Sequence, residues 1–272
     1  MSASGLAAQF TELMLAVLLA PLLTGWVNNC RAWLQNKSAP GLLQPYRVLG
    51  KLFRKEVVLA HNASPLFRAA PYLIFGSLAL AAAIVPTVGT DLPLNAAADA
   101  IALVGLLALA RTFVALAGMD IGTAFGSLGA RREMMIGFLA EPALLMVLFT
   151  ASLISSSTSL ATIVETLAHK ELVIYPSMAF AGVAFTMVSL AENGRVPIDN
   201  PATHLELTMV HEAMVLEYSG RHLAMIEAAA ALKLVLYFSL FACLFVPFGM
   251  ATAARRESLP GPTASSRTSS TS

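Results

Sequence analysis

The sequence predicts an all-α integral membrane protein, with about six transmembrane helices and one amphipathic helix on the cytoplasmic surface. Three observations predict it. Hydrophobic residues make up 57% of the 272 positions and charged residues only 12%, about half the share in soluble domains. Mean hydropathy is +0.72. A soluble fold cannot absorb that much apolar surface without large exposed patches, whereas a bilayer can. Apolar runs approaching the ~20 residues that cross a bilayer recur near 6–28, 69–90, 97–119, 134–155, 172–192 and 226–249. The loops between them alternate in positive charge.

The first run precedes any basic residue, since Arg31 is the first. It therefore reads as a retained span and not a secretory signal. The segment 30–68 carries Arg31, Lys37, Arg47, Lys51, Arg54, Lys55 and Arg68. Within it Leu42, Leu43, Tyr46, Leu49, Leu52, Phe53 and Val57 recur at helical spacing, opposite Arg47, Lys51, Arg54 and Lys55. That pattern predicts an amphipathic helix over 42–60 lying on the membrane. The alternative is a basic juxtamembrane loop touching anionic lipid. The loop 87–96 has no Lys or Arg, 120–133 has Arg131 and Arg132, 156–171 has only Lys170, and 192–225 has Arg195 and Arg221. The positive-inside rule places the first, third and fifth loops in the cytoplasm and both termini outside. Arg255, Arg256 and Arg267 near the C-terminus oppose that placement. The chain divides into a transmembrane domain, 1–250, and a Ser/Thr-rich tail, 251–272, expected to be disordered.

Several function classes fall away. A formal net charge of +1 gives no support to nucleic-acid binding. Cys30 and Cys243 form no CxxC pair, so no zinc or iron–sulfur spacing exists. His211-Glu212 does not complete HExxH, and His204-Leu205-Glu206 lacks a downstream P-C-x-x-C. No P-loop, GxGxxG or nucleophile elbow occurs. The chain is expected to bind no metal, to contribute no catalytic residue, and to leave any redox cofactor to partners.

Charges inside spans cost roughly 2.5–3.5 kcal/mol each on insertion scales, so they need a reason. Glu12 in the first span can snorkel. Arg111 lies well inside the third span, and Glu141 lies inside the fourth, directly before Pro142. A buried ion pair between them would account for both, as a helix lock or as part of a proton path. Lys233 in the last span needs a carboxylate or a water-filled cavity.

The densest stretch is 192–227. It holds Glu192, Asp199, Glu206, Glu212, Glu217 and Glu227, with His204, His211 and His222. Between Pro201 and Gly220 the residues 202–219 can be helical. On one helix Glu206 and Glu217 share a face, and His204 and His211 share another. Leu205, Leu207, Met209, Val210, Met214, Val215 and Leu216 interleave them, too apolar for a purely solvated face. Carboxylates pressed against an apolar wall can relay protons.

This stretch resembles a known family. Ala191-Glu192-Asn193-Gly194-Arg195-Val196-Pro197-Ile198-Asp199-Asn200-Pro201-Ala202-Thr203-His204-Leu205-Glu206-Leu207-Thr208-Met209, followed by His211-Glu212-Ala213-Met214 and Glu217-Tyr218-Ser219-Gly220, looks like the membrane subunit of formate hydrogenlyase and related group 4 nickel–iron hydrogenases. That subunit is similar to the membrane subunit of complex I that helps form the quinone chamber (the NADH dehydrogenase subunit 1 family). The form Asp199-Asn200-Pro201-Ala202-Thr203-His204-Leu205-Glu206-Leu207 favours the hydrogenase branch. Gln44-Pro45-Tyr46 with Lys51-Leu52 and Arg54-Lys55-Glu56, Gly118-Met119-Asp120 with Gly129-Ala130-Arg131-Arg132-Glu133, and Ala140-Glu141-Pro142 agree. The resemblance covers about 6–250.

It implies a multi-pass subunit of the cell (inner or plasma) membrane, non-catalytic, within an oxidoreductase complex. Glu141, Glu192, Asp199, Glu206, Glu212 and Glu217, with Arg111 and Lys233, become the proton path. Arg195, His204 and His211 would order the loop, and Arg131, Arg132 and Glu133 would face the redox arm. Implied partners are a nickel–iron hydrogenase large subunit, an iron–sulfur subunit and antiporter-like membrane subunits. Nickel–iron and iron–sulfur centres belong to those partners, and quinone is a candidate ligand. Two departures stand out. Arg131 replaces the family's Ser, and the family's about eight spans are expected to lack their last two here. The competing classes are a complex I-type quinone-site subunit, a secondary ion transporter, whose inverted repeat is not visible, and a membrane-embedded metalloenzyme.

Overall fold

A computed structural model describes residues 3–87, 99–169, 176–195, 198–199 and 209–246. Each apolar run carries a helix there: α1 (Ala3–Leu34), α3 (Pro65–Ile84), α4 (Ala100–Asp120), α5 (Ala124–Ser155), α7 (Pro176–Glu192) and α9 (Gly220–Phe245), with α2 (Gln44–Arg54), α6 (Leu160–His169) and α8 (Val210–Val215) between them. Five are long and apolar enough to cross a membrane, and α7 is a shorter apolar helix of 17 residues. Among the described residues there is no strand, only one isolated bridge between Asp99 and Ser159.

Local chemistry sets the helix starts. Ser64 accepts from the Leu66 N–H with Pro65 in the first turn, Asp99 accepts from Ile101, and Thr123 accepts from Gly126. α3, α4 and α5 pack in chain order, and α9 lies against α1 and α3. Phe67, Leu103, Leu144, Leu148, Leu232, Leu236 and Leu240 are almost wholly buried between them. The outward side chains are also apolar: Phe138 is 81% exposed and Phe180 76%. Apolar inside and apolar outside is the pattern of helices solvated by lipid.

The structure corrects several expectations. The amphipathic helix occupies 44–54 and not 42–60, because Lys55 turns extended at φ −80°, ψ 147°. The loop at 120–133 shrinks to 121–123, since α5 begins at Ala124, so Arg131, Arg132 and Glu133 sit on a helix. The loop at 156–171 contains α6, ten residues whose Leu160, Ile163 and Val164 are buried. A helix through 202–219 is not seen: over 209–219 only Val210–Val215 is helical, and Glu217 follows it in a turn. The residues 202–208, with His204 and Glu206, and the tail 251–272 lie outside the described residues.

Candidate functional site

Arg111 is placed mid-way along α4 with its side chain 2% exposed. A guanidinium there must be neutralised, and three carboxylates reach it. Glu133 Oε1 of α5 lies 3.1 Å from Nε, Glu141 Oε1 of α5 lies 3.9 Å from Nη1, and Glu192 Oε1 at the end of α7 contacts Nη2. The second Glu192 oxygen is 2.9 Å from Lys233 Nζ on α9. Glu192 is itself 4% exposed at the side chain. The sequence pairing of Arg111 with Glu141 is thus the longest arm of a larger network, and Lys233 has its carboxylate. Glu133, grouped by sequence with the interface arginines, belongs to the network instead.

The network joins four helices, α4, α5, α7 and α9. Three carboxylates face two cations, so full ionisation leaves one negative charge in excess. That excess gives the cluster room for one proton. Gly137 makes the Arg111 position available: a Cβ there would overlap the Arg111 Cδ and guanidinium.

Arg111 precedes the end of α4 at Asp120 by nine residues, about 13 Å along the helix. Because Glu192 ends α7 beside Arg111, the chain leaves α7 as irregular backbone at membrane depth. Such backbone is tolerated only where protein buries it or it lines a cavity. It lines one. A cavity of about 270 Å³ extends from Arg111, Glu133, Glu192 and Lys233 to Asn193, Arg195, Asp199 and His211. Ile74, Leu78, Val114 and Ile226 form apolar wall.

The loop end of the cavity is held by backbone geometry. Gly194 takes φ +55°, and the Arg195 carbonyl accepts from Ile198 N–H at 2.9 Å and Asp199 N–H at 3.2 Å. Buried Asp199 then accepts from Val210 N–H at 3.0 Å, capping α8 from eleven residues upstream. Burial and the facing Arg31 hold the Arg195 guanidinium below its ordinary range. His211 Nε2 is buried without a hydrogen-bond partner among the described residues, aimed at the same region.

Beyond α8, Tyr218 stacks on Phe67 with centroids 3.9 Å apart and donates to the Phe67 carbonyl at 2.9 Å. Burial, with Asp120 nearby, pushes its phenol well above the ordinary range, so it stays a donor. Ser219 accepts from Val58 N–H and donates to Val58 O, both at 2.8 Å. These bonds join the segment after α2 to the start of α9.

The structure therefore brings together Arg111, Glu133, Glu141, Glu192 and Lys233, and adds Asp199, Arg195 and His211 along the cavity. Glu212 is exposed, Glu217 is half-buried, and neither lines it. Arg131 is exposed on α5 and Arg132 half-buried. One residue was missed. Tyr237, buried one turn after Lys233, turns its hydroxyl toward Glu192. Its i, i+4 spacing from Lys233 in a span was the available signal. Glu12 does not snorkel: it is 5% exposed and accepts from the Thr87 N–H at 2.6 Å and from the Thr87 hydroxyl.

Comparison with known proteins fits this arrangement. The family model described as NADH dehydrogenase matches residues 8–258. The chain belongs to the NADH dehydrogenase family. Within that family it is 35% identical to hydrogenase-4 component C of Escherichia coli over 243 residues, covering 88% of this chain and 75% of that one. It is 34% identical to formate hydrogenlyase subunit 4 of the same organism, covering 85% and 74%. An NADH-quinone oxidoreductase subunit of Thermomicrobium roseum is 30% identical, with 78% and 67% covered. The fold matches a chain of the membrane-bound sulfane sulfur reductase, an archaeal respiratory membrane complex, with a TM-score of 0.78 at 18% identity, covering 89% and 79%. This member of the NADH dehydrogenase family is thus a membrane protein of the hydrogenase-related kind.

Proposed function

We propose that this chain is the membrane anchor and proton-path subunit of a hydrogenase-type redox complex of the cell membrane. It links a peripheral redox arm to ion movement in the membrane. The observation that carries the reading is the buried network with its extra carboxylate, continuous with a cavity that runs to the loop connecting α7 and α8. Charge or shape changes at Asp199, Arg195 and His211 can reach Glu192 through that cavity, and Glu192 touches both cations. A proton taken at the cavity enters a cluster that is short of one positive charge. The chain's own residues supply binding and orientation of protons, while nickel–iron and iron–sulfur centres sit on partners, a hydrogenase large subunit and an iron–sulfur subunit. Antiporter-like membrane subunits would meet its lipid-side helices.

The higher identity to the hydrogenase relatives favours the hydrogenase branch over a quinone-reducing one. The apolar cavity wall with polar groups at one end supports the second reading, a quinone headgroup held near Arg195 and His211.

The test uses the complete complex in sealed proteoliposomes. Glu192→Gln and Lys233→Met are expected to leave hydrogen evolution from a reduced soluble donor measurable while abolishing the associated pH gradient. Unchanged proton movement in both variants would end the proton-path reading. A wild-type complex that turns over only with added quinone would replace the hydrogenase reading by the quinone-site one.

A further inference from the structure

We propose that the groove on α2 around Gly50 binds the phosphate headgroup of an anionic phospholipid. On the α2 wheel, Tyr46, Gly50 and Arg54 form one stripe and Arg47 and Lys51 the next. Gly50 interrupts its stripe with no side chain, and a Cβ placed there meets nothing within 4 Å. The result is an open gap bordered by Arg47, Lys51 and Arg54, with Lys55 at its end. All four cations are exposed and none forms an ion pair among the described residues. Glu56 is the only Asp or Glu between positions 13 and 90. A phosphate is the complement of such a gap, since Arg supplies paired N–H donors and Lys a point charge.

The position of α2 decides which phosphate. Tyr46 Oη donates to the Leu18 carbonyl inside α1. Gly25 of α1 lies against the Leu42 carbonyl, where any Cβ would clash. The helix therefore lies beside the span and not beyond it. Trp26 and Trp33, exposed by 50% and 60%, mark the interface on α1. Val48 and Phe53 on α2, and Leu43 just before it, are also uncovered. A ligand with one phosphate and acyl chains satisfies both the cations and these apolar side chains. A free anion would leave the apolar residues bare, and so would an acidic protein surface.

The experiment takes the complex from native membranes in mild detergent. It is equilibrated with vesicles of equal phosphatidylglycerol and phosphatidylcholine, and lipid retained after affinity purification is counted by mass spectrometry. Wild type is expected to retain phosphatidylglycerol selectively. Lys51→Gln/Arg54→Gln should reduce that selectivity roughly fivefold per cation, from the ≈ 1 kcal/mol that each contributes near a membrane surface. Gly50→Leu keeps every charge and suits a helix, yet fills the gap, and should lose the selectivity too. Retained selectivity in Gly50→Leu would overturn the site and leave only diffuse attraction. Displacement of the lipid by millimolar inorganic phosphate would overturn the choice of lipid. Loss of both lipids together with recovery of a bound acidic protein would overturn the ligand class.

Discussion

Replacing Arg111 with methionine leaves three carboxylates facing one ammonium. Methionine keeps an unbranched apolar side chain in the space, so charge is the principal change. Removing one partner from a buried ion pair costs about 3–5 kcal/mol, because the remaining charge loses its compensation. Glu192 keeps Lys233 at 2.9 Å, so the cost belongs near the lower end, about 3 kcal/mol. That is roughly a hundredfold in the ratio of folded to unfolded protein. The assay is reversible unfolding of the lipid-reconstituted protein by a denaturing detergent, compared with wild type. Arg111→Met/Glu192→Gln restores the original charge excess. It is expected to recover at least about half of the loss, a coupling of about 1.5 kcal/mol or more between the two sites. A single-variant loss under about 1 kcal/mol, or additive effects in the double variant, would refute a network held by mutual neutralisation.

Other expectations follow from the same geometry. Gly137→Ala presses a methyl against Arg111 and should cost about 1–3 kcal/mol in the same unfolding assay, with little further loss when added to Arg111→Met. Gly220→Ala combines a φ of +55° with overlap on the Lys55 and Glu56 carbonyls, so a loss of at least about 2 kcal/mol is expected, with faster proteolysis in 55–64. Asp199→Ala strands the buried Val210 N–H and should lose about 1–3 kcal/mol, whereas Asp199→Asn keeps an acceptor and should stay within about 1 kcal/mol of wild type.

Period and composition by themselves determined the spans. A run of apolar residues has one inexpensive environment, lipid, and one inexpensive backbone there, the helix. The amphipathic α2 was legible for the same reason, since three cations on one face and aromatic and aliphatic residues on the other admit one placement at an interface. The internal charges were also visible as anomalies. Arg111, Glu141 and Lys233 stand out against apolar neighbours, and each requires a partner.

Which partner each takes was decided only by tertiary packing. Glu192 reads as the first residue of a polar loop, and Glu133 as the last of an interface motif. Only the antiparallel stacking of α4, α5, α7 and α9 brings both to Arg111 at one depth. Local rules also misjudged α6 and the stretch 209–219. α6 is too short for a span, and it forms because Leu160, Ile163 and Val164 are buried among the spans. The 209–219 helix stops at Val215 because Tyr218 stacks on Phe67 and Ser219 bonds Val58, contacts from more than 150 positions earlier in the chain. The sequence states which residues must leave water and which charges must be paired. The pairing itself is a property of three-dimensional distance, which no local period encodes.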